Sequence, residues 1–215
     1  MPLAVTAGAS VAASQRGSLR GLQPGFADPV GGAQQTFRAA LQALSHPGRW
    51  FESGAGAAAC GVPAGLSPAS TALLLALVDA DTPLWLPAGV DDAVLRFLRF
   101  HCGCPLATDP AAALFLAVPA GFAAPSLADC NAGDPAYPDR SATLLLEVER
   151  FESTAPLVLR GPGIEHTQPL AVSGLPPDFP RQWQANQSRW PLGVDVLLIC
   201  GTAISGLPRT TTLEN

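Results

Sequence analysis

The stretch VDVLLICGTAISGLP, residues 194–208, decides the fold class. Residues 194–200 are almost continuously apolar, which is typical of a β-strand that is covered on both faces. Gly201 and Thr202 then predict a tight turn into a second strand over residues 203–208, so the segment forms a β-hairpin. A strand of this kind requires further layers of structure above and below its sheet.

Four other segments predict strands. Each is short and apolar, and most are bounded by proline, glycine or charged residues. They are Leu84–Leu86, Leu114–Val118, Ser141–Val148 and Pro156–Arg160.

Helical patterns alternate with these strands. The first helix spans residues 31–45, and its predicted buried face consists of Phe37, Ala40, Leu41 and Leu44. Ser67 followed by Pro68 predicts the start of a second helix, which is buried because it has no polar face. Asp91 and Asp92 begin a third helix, and a short fourth helix is expected within residues 175–189. The pattern predicts one α/β domain over residues 26–215, preceded by a flexible extension over residues 1–25.

The charge composition excludes several function classes. The chain of 215 residues has a net charge of −5, so a nucleic-acid backbone would be repelled. All 12 basic residues are arginine, which excludes a Schiff-base lysine for pyridoxal phosphate and a P-loop lysine. Charged residues make up only 13% of the chain, about half the usual share of roughly 25%. So little charge predicts that part of the surface is covered by another chain.

The sequence predicts a cytoplasmic protein without a membrane span. Prolines interrupt the longest uncharged stretch, residues 53–78, and its solid apolar part is far shorter than the roughly 20 residues that a bilayer requires. The five cysteines are an odd number without the spacing of a disulfide framework, which favours a reducing compartment.

His101, Cys102 and Cys104 are close enough in sequence to suggest a metal site. Structural zinc sites have four ligands, and this cluster offers three. A disulfide between Cys102 and Cys104 would close a strained ring. We therefore predict two reduced thiols and no metal. His101 also lies on the apolar stripe formed by Val94, Phe97 and Leu98, where a histidine is more often a satisfied core residue.

Arg96 and Arg99 are candidate ligand-binding residues. They lie three positions apart on the third helix and share a face, so their guanidinium groups can form a fork for a phosphate or carboxylate. The alternative is that they pair with nearby Asp91 and Asp92. From the residues alone both interpretations stay open.

Asp195 lies in the apolar strand of the hairpin, where a carboxylate must be paired or lie at a strand end. Arg209, just after the hairpin, is a possible partner, and we include both residues among the candidate ligand-binding residues. The segment Gly161–His166 begins like a dinucleotide-binding loop, but its third glycine is replaced and no helix follows. We interpret it as a turn.

Several segments in order resemble the PhnH family of the bacterial carbon–phosphorus lyase system. The resemblance covers roughly residues 26–212, and it rests on the ordered set rather than on any single motif. The segments are Gln35–Arg38, Ser45–Gly48, Thr71–Trp85, Leu98–His101, Pro105–Leu106, Gly161–Ile164, Pro191–Asp195 and Pro208–Thr211. The long amino-terminal extension and the Cys-Gly-Cys segment depart from the family pattern.

The resemblance implies a three-layer α/β/α domain with a mixed central sheet, similar to the large domain of pyridoxal-phosphate transferases but without the cofactor. It also implies a homodimer that joins the G, I and J subunits in a core complex. That complex couples an alkylphosphonate to the ribose of ATP and displaces adenine. The H subunit of the family has no assigned catalytic residue. The absence of the cofactor agrees with the residues, because a lysine-free chain cannot hold pyridoxal phosphate covalently.

Two functions from different classes therefore remain. The first is an accessory, non-catalytic subunit of the phosphonate-coupling step. The second is a nucleotide- or phosphonate-binding site, possibly catalytic, at a dimer interface. Its candidate residues are Arg96, Arg99, His101, Asp195 and Arg209.

Overall fold

The computed structural model describes residues 21–54 and 59–214. Most of the expected amino-terminal extension, residues 1–20, lies outside this range. The helices and strands are, in chain order, α1 (Pro29–Ser45), β1 (Trp50–Glu52), α2 (Pro68–Leu77), β2 (Leu84–Trp85), α3 (Asp92–His101), β3 (Leu106–Ala107), β4 (Phe115–Val118), β5 (Thr143–Glu147), β6 (Leu157–Arg160), β7 (Gln168–Leu170), α4 (Phe179–Gln187), β8 (Asp195–Cys200), β9 (Ala203–Leu207) and β10 (Thr212–Glu214).

A seven-stranded mixed sheet forms the centre of the fold, in the order β1-β9-β8-β5-β4-β2-β3. Strands β8, β5, β4, β2 and β3 pair in parallel, and β9 pairs antiparallel with both β8 and β1. The β8–β9 hairpin closes with Cys200 opposite Ala203. The predicted hairpin and the α/β class are confirmed.

Layers cover both faces of this sheet, as an uninterrupted apolar strand requires. On one face α1, α2 and α3 pack against alternate strand residues such as Leu145 and Leu197. On the other face α4 and the small sheet β10-β6-β7 pack against residues such as Leu144 and Leu198. The strand predicted at Pro156–Arg160 is therefore present as β6, in the small sheet. The short strands β1, β3, β7 and β10 were not predicted.

The predicted buried face of α1 is wrong in part. Ala40 is buried, but Phe37 and Leu41 are 47% and 48% exposed, and the helix turns Thr36, Ala39 and Ala43 inward instead. The cause is the close approach of α1 to β9, where a Cβ on Gly206 would overlap the backbone of Ala43. Only small side chains fit at this contact, so the large ones face outward.

Helices α2 and α3 begin as the sequence predicts. The Ser67 hydroxyl accepts a hydrogen bond from the backbone N–H of Ser70 at 3.2 Å, with Pro68 at the first helical position. Asp91 caps α3 by accepting from the N–H of Ala93 at 2.7 Å. Within the described ranges no helix has the length and apolar character to cross a membrane.

Candidate functional site

Arg96 and Arg99 are exposed on the outer face of α3. Neither guanidinium has an ion-pair partner among the residues that the structure describes, so the expected alternative of pairing with Asp91 or Asp92 is not formed. The Asp91 carboxylate is instead engaged in capping the helix. The two arginines are therefore available to an anion.

Two cavities adjoin these arginines. One, of about 230 Å³, is lined by Asp92, Leu95, Arg96 and Arg99. The other, of about 430 Å³, lies between α3 and the segment that follows it, and Arg99 and Cys104 line it. Arg99 thus borders both cavities, where a ligand could contact it from either side.

His101 lies at the end of α3 and is half-buried. Its Nε2–H donates a hydrogen bond to the backbone oxygen of Gln23 at 3.0 Å, and its ring centroid lies 4.4 Å from that of Phe97. Gly25 packs against the same ring, where a Cβ would lie 3.2 Å from Nδ1. The ring is hydrogen-bonded, as expected for a satisfied histidine, but it is half-buried rather than in the core, and it ties the segment before α1 to α3.

Cys102 and Cys104 are free thiols. The Cys102 Sγ–H points to the backbone oxygen of Leu74 at 3.7 Å. Burial raises the pKa of Cys102 to about 12, with a smaller contribution from the neighbouring Cys104 thiol, and burial also raises the pKa of Cys104. Neither thiol is activated as a nucleophile.

Asp195 and Arg209 form a nearly buried ion pair, as their positions in the sequence suggested. Arg209 Nη2 lies 2.5 Å from Asp195 Oδ2, and Arg209 Nε donates to Oδ1 at 3.1 Å. The backbone N–H of Arg209 also donates to Oδ1 at 2.7 Å, and Nη1 donates to the backbone oxygen of Pro138 at 2.9 Å. The two side chains are only 14% and 20% exposed. This pair fastens the chain after β9 to the start of β8.

The five candidate residues therefore fall into two groups. Arg96, Arg99 and His101 share α3, whose chain leads into the edge strand β3. Asp195 is on β8, and three strands separate β8 from β3. At the usual spacing between strands, β8 and β3 are about 19 Å apart. The structure does not bring the two groups into one pocket.

Four segments that carry the family resemblance meet around the small sheet. A Cβ on Gly163 would overlap the backbone of Ser45, and one on Gly161 would lie 3.0 Å from the backbone oxygen of Thr210, so the Gly161–Gly163 turn fits between these segments. This confirms the turn and accounts for its two glycines, both at positive φ.

Helix α4 holds two of these segments in place. The Trp183 indole N–H donates to the backbone oxygen of Thr211 at 2.8 Å. The Asn186 side chain exchanges hydrogen bonds with the backbone of Val194, at 2.8 and 2.9 Å. These buried hydrogen bonds connect separate segments of the chain. Much of the sequence pattern that carries the family resemblance therefore maintains the fold rather than a reactive site.

Glu147 is a polar centre that the sequence analysis missed. Its Oε1 accepts from the backbone N–H of Ser67 at 2.8 Å and from the Ser70 hydroxyl at 2.5 Å, and its Oε2 accepts from the N–H of Ala120 at 3.2 Å. Open α/β sheets bind anionic ligands at such helix starts beside the strand ends. Here the carboxylate of the chain occupies that position. The sequence feature that could have indicated this site is an acidic residue at the end of the apolar run of β5.

Comparisons with known proteins cover most of the chain. Residues 24–214 match the family model described as "Bacterial phosphonate metabolism protein (PhnH)". The chain is 40% identical over 190 residues to the alpha-D-ribose 1-methylphosphonate 5-triphosphate synthase subunit PhnH of Rhizobium meliloti (strain 1021), covering 88% of this chain and 94% of that protein. It is also 42% identical over 77 residues to the putative C-P lyase subunit protein HtxG of Stutzerimonas stutzeri, covering 36% of this chain and 40% of that protein.

Proposed function

The chain belongs to the PhnH family, and on this premise we propose that it is an accessory subunit of the carbon–phosphorus lyase core complex. That complex converts an alkylphosphonate and ATP to ribose 1-alkylphosphonate 5-triphosphate in phosphonate catabolism. The observation that carries the proposal is the 40% identity to a synthase subunit over nearly its full length. The subunit contributes to an enzyme complex and is inactive alone.

The surface supports a role in assembly. Helix α1 exposes Val30, Phe37 and Leu41, which share one side of the helix at spacings of seven and four residues. At the opposite edge of the sheet Phe100 and Leu106 are also exposed. Apolar side chains grouped in this way are typical of protein interfaces. We propose that these faces serve a homodimer and contacts with the G, I and J subunits.

Co-purification of the full chain with the other three subunits tests this function. We expect a stable complex, and we expect loss of growth on methylphosphonate but not on inorganic phosphate when the gene is deleted. Replacing Phe37 and Leu41 by glutamine is expected to weaken assembly while the isolated protein stays folded, because both side chains are already exposed. Normal growth of the deletion strain on methylphosphonate would contradict the proposal.

The finer features of the fold are part of the same proposal. The mixed sheet with layers on both faces is compatible with the large domain of pyridoxal-phosphate transferases. A lysine-free chain has no side chain for an internal aldimine. The five free thiols accord with a cytoplasmic location.

One observation favours a second candidate function, the binding of nucleotide or phosphonate on α3. Arg96 and Arg99 are unpaired within the described part of the chain and border adjoining cavities. Calorimetry with ATP and methylphosphonate tests this function. A ligand site here gives saturable heat that disappears when both arginines are replaced by glutamine, whereas a purely accessory subunit gives no heat that depends on them.

A further inference from the structure

A cleft of about 330 Å³ lies between the edge of the main sheet and the small sheet. We call it the β1–β7 cleft, and its distinctive lining residues are Arg49, Trp50, Phe151, Gln168 and Ser205. Its volume is at the lower end of the range of roughly 300–1,000 Å³ that small-molecule sites occupy. The cleft shares no lining residue with the cavities beside α3.

The fold builds this cleft from four separate parts of the chain. Trp50 on β1 is paired with Ser205 on β9, so their side chains project from the same face of the sheet. Gly48 adopts a φ of +80°, and a Cβ there would lie 2.7 Å from Gln168 Cγ. This glycine lets the chain before β1 approach β7 closely, which places Arg49 and Trp50 beside Gln168.

The polar groups of the cleft have few partners within the described residues. The Ser205 side chain is 1% exposed, and its hydroxyl forms no hydrogen bond within the described residues. Leaving a buried hydroxyl unpaired costs about 1–3 kcal/mol. The Gln168 side chain makes one long contact, 3.4 Å to the neighbouring Pro169 oxygen. Arg49 has no ion-pair partner in the ranges that the structure describes.

The apolar part of the cleft is aromatic. Trp50 is 58% exposed although it belongs to a strand, and Phe151 lines the same space. An indole of this exposure beside an unpaired guanidinium offers a stacking surface and a charge for one molecule.

From these features we infer that the β1–β7 cleft binds a small planar aromatic ring that carries an anionic group, of the size of a nucleoside monophosphate. The ring stacks on Trp50, the anion pairs with Arg49, and the ring edge hydrogen-bonds to Gln168 and Ser205. This site is separate from α3, and its existence does not rest on the proposed role in the complex.

Calorimetric titration of the full chain with adenosine 5′-monophosphate tests the inference. We expect saturable binding that weakens about tenfold or more in Arg49→Gln and in Trp50→Leu, since each change removes a charge-assisted contact or a stacking contact. Trp190→Leu is the matched control, because Trp190 is 62% exposed and does not line the cleft. Its affinity is expected to stay within about twofold of the parent.

Two further probes distinguish the contribution of the anionic group from that of the ring edge. Adenosine lacks the anion, so its weaker binding is expected to be unaffected by Arg49→Gln. Phenyl phosphate lacks the hydrogen-bonding ring edge, so Ser205→Ala is expected to weaken adenosine 5′-monophosphate and leave phenyl phosphate unchanged. Phenyl phosphate binding alone would support an aromatic anion and exclude a nucleotide as its source. Failure of both phosphates to bind at millimolar concentration, or an equal loss in Trp190→Leu, would overturn the inference.

Discussion

Arg209 and the pair Arg96–Arg99 differ in what surrounds the guanidinium group. Arg209 contacts a carboxylate through two side-chain nitrogens and a backbone oxygen through a third, and it is nearly buried. Arg96 and Arg99 are exposed, border cavities and have no ion-pair partner in the described ranges. The first environment holds the chain together, whereas the second leaves charge available to a ligand or another subunit.

The largest expected effect follows from removing the Arg209 charge. Arg209→Gln leaves the Asp195 carboxylate in a largely buried place without its counterion. We expect the free energy of unfolding to fall by about 3–5 kcal/mol, which is typical when one partner of a buried pair is lost. Urea denaturation measures this change, and Arg181→Gln, in an exposed pair, is the control. A decrease in the free energy of unfolding below about 1 kcal/mol would show that Arg209 does not stabilise the fold through Asp195.

Replacing both members of the pair is expected to cost less than replacing one. In Asp195→Leu with Arg209→Met no charge is left unpaired, and apolar groups of similar size fill the space. We expect the double variant to be more stable than Arg209→Gln by about 1 kcal/mol or more. It does not recover fully, because the backbone N–H of Arg209 and the Pro138 oxygen lose their partners. A double variant that is no more stable than Arg209→Gln would contradict this account.

The arginines of α3 are expected to have a much smaller effect on stability. Arg96→Gln with Arg99→Gln removes exposed, unpaired charges, so the free energy of unfolding changes by about 0.5 kcal/mol or less. If the two arginines bind a phosphate or phosphonate, growth on methylphosphonate fails while the complex still assembles. Normal growth with an intact complex would remove α3 from the candidate sites.

The sequence predicted the parts of the fold that follow from local patterns. The β8–β9 hairpin, the caps of α2 and α3 and the Asp195–Arg209 pair were all predictable, because apolar runs, capping residues and a carboxylate in an apolar strand each have few structural solutions. The orientation of α1 was not predictable, since it depends on the contact of Gly206 with Ala43.

The β1–β7 cleft was not predictable from the sequence either. Its lining residues come from four segments between residues 48 and 205, and no spacing connects them. Glu147 was missed because its donors lie 27 to 80 residues away. Sequence patterns thus identified single groups and pairs, whereas the sites that combine distant segments required the topology.

The smallest expected effect is that of Arg99 on the thiol that follows α3. Burial raises the pKa of Cys102 to about 12, from 9.0 for a free thiol, and no arginine opposes this shift. At pH 8 the thiolate is therefore about a thousand times scarcer than in the unfolded chain. The neutral thiol contributes stability that is present below pH 9 and is lost as the pH rises toward 12.

We accordingly expect Cys102 to resist iodoacetamide at pH 8 in the folded protein and to react in urea, as measured by peptide mass spectrometry. Arg99→Gln is expected to leave the folded rate unchanged, since the exposed guanidinium is screened by solvent and does not lower the pKa of the thiol. A slower folded rate in Arg99→Gln would show that the charge of Arg99 reaches into the protein, as that of Arg209 does. The environments of Arg99 and Arg209 would then differ only in their ion-pair partners and no longer in burial.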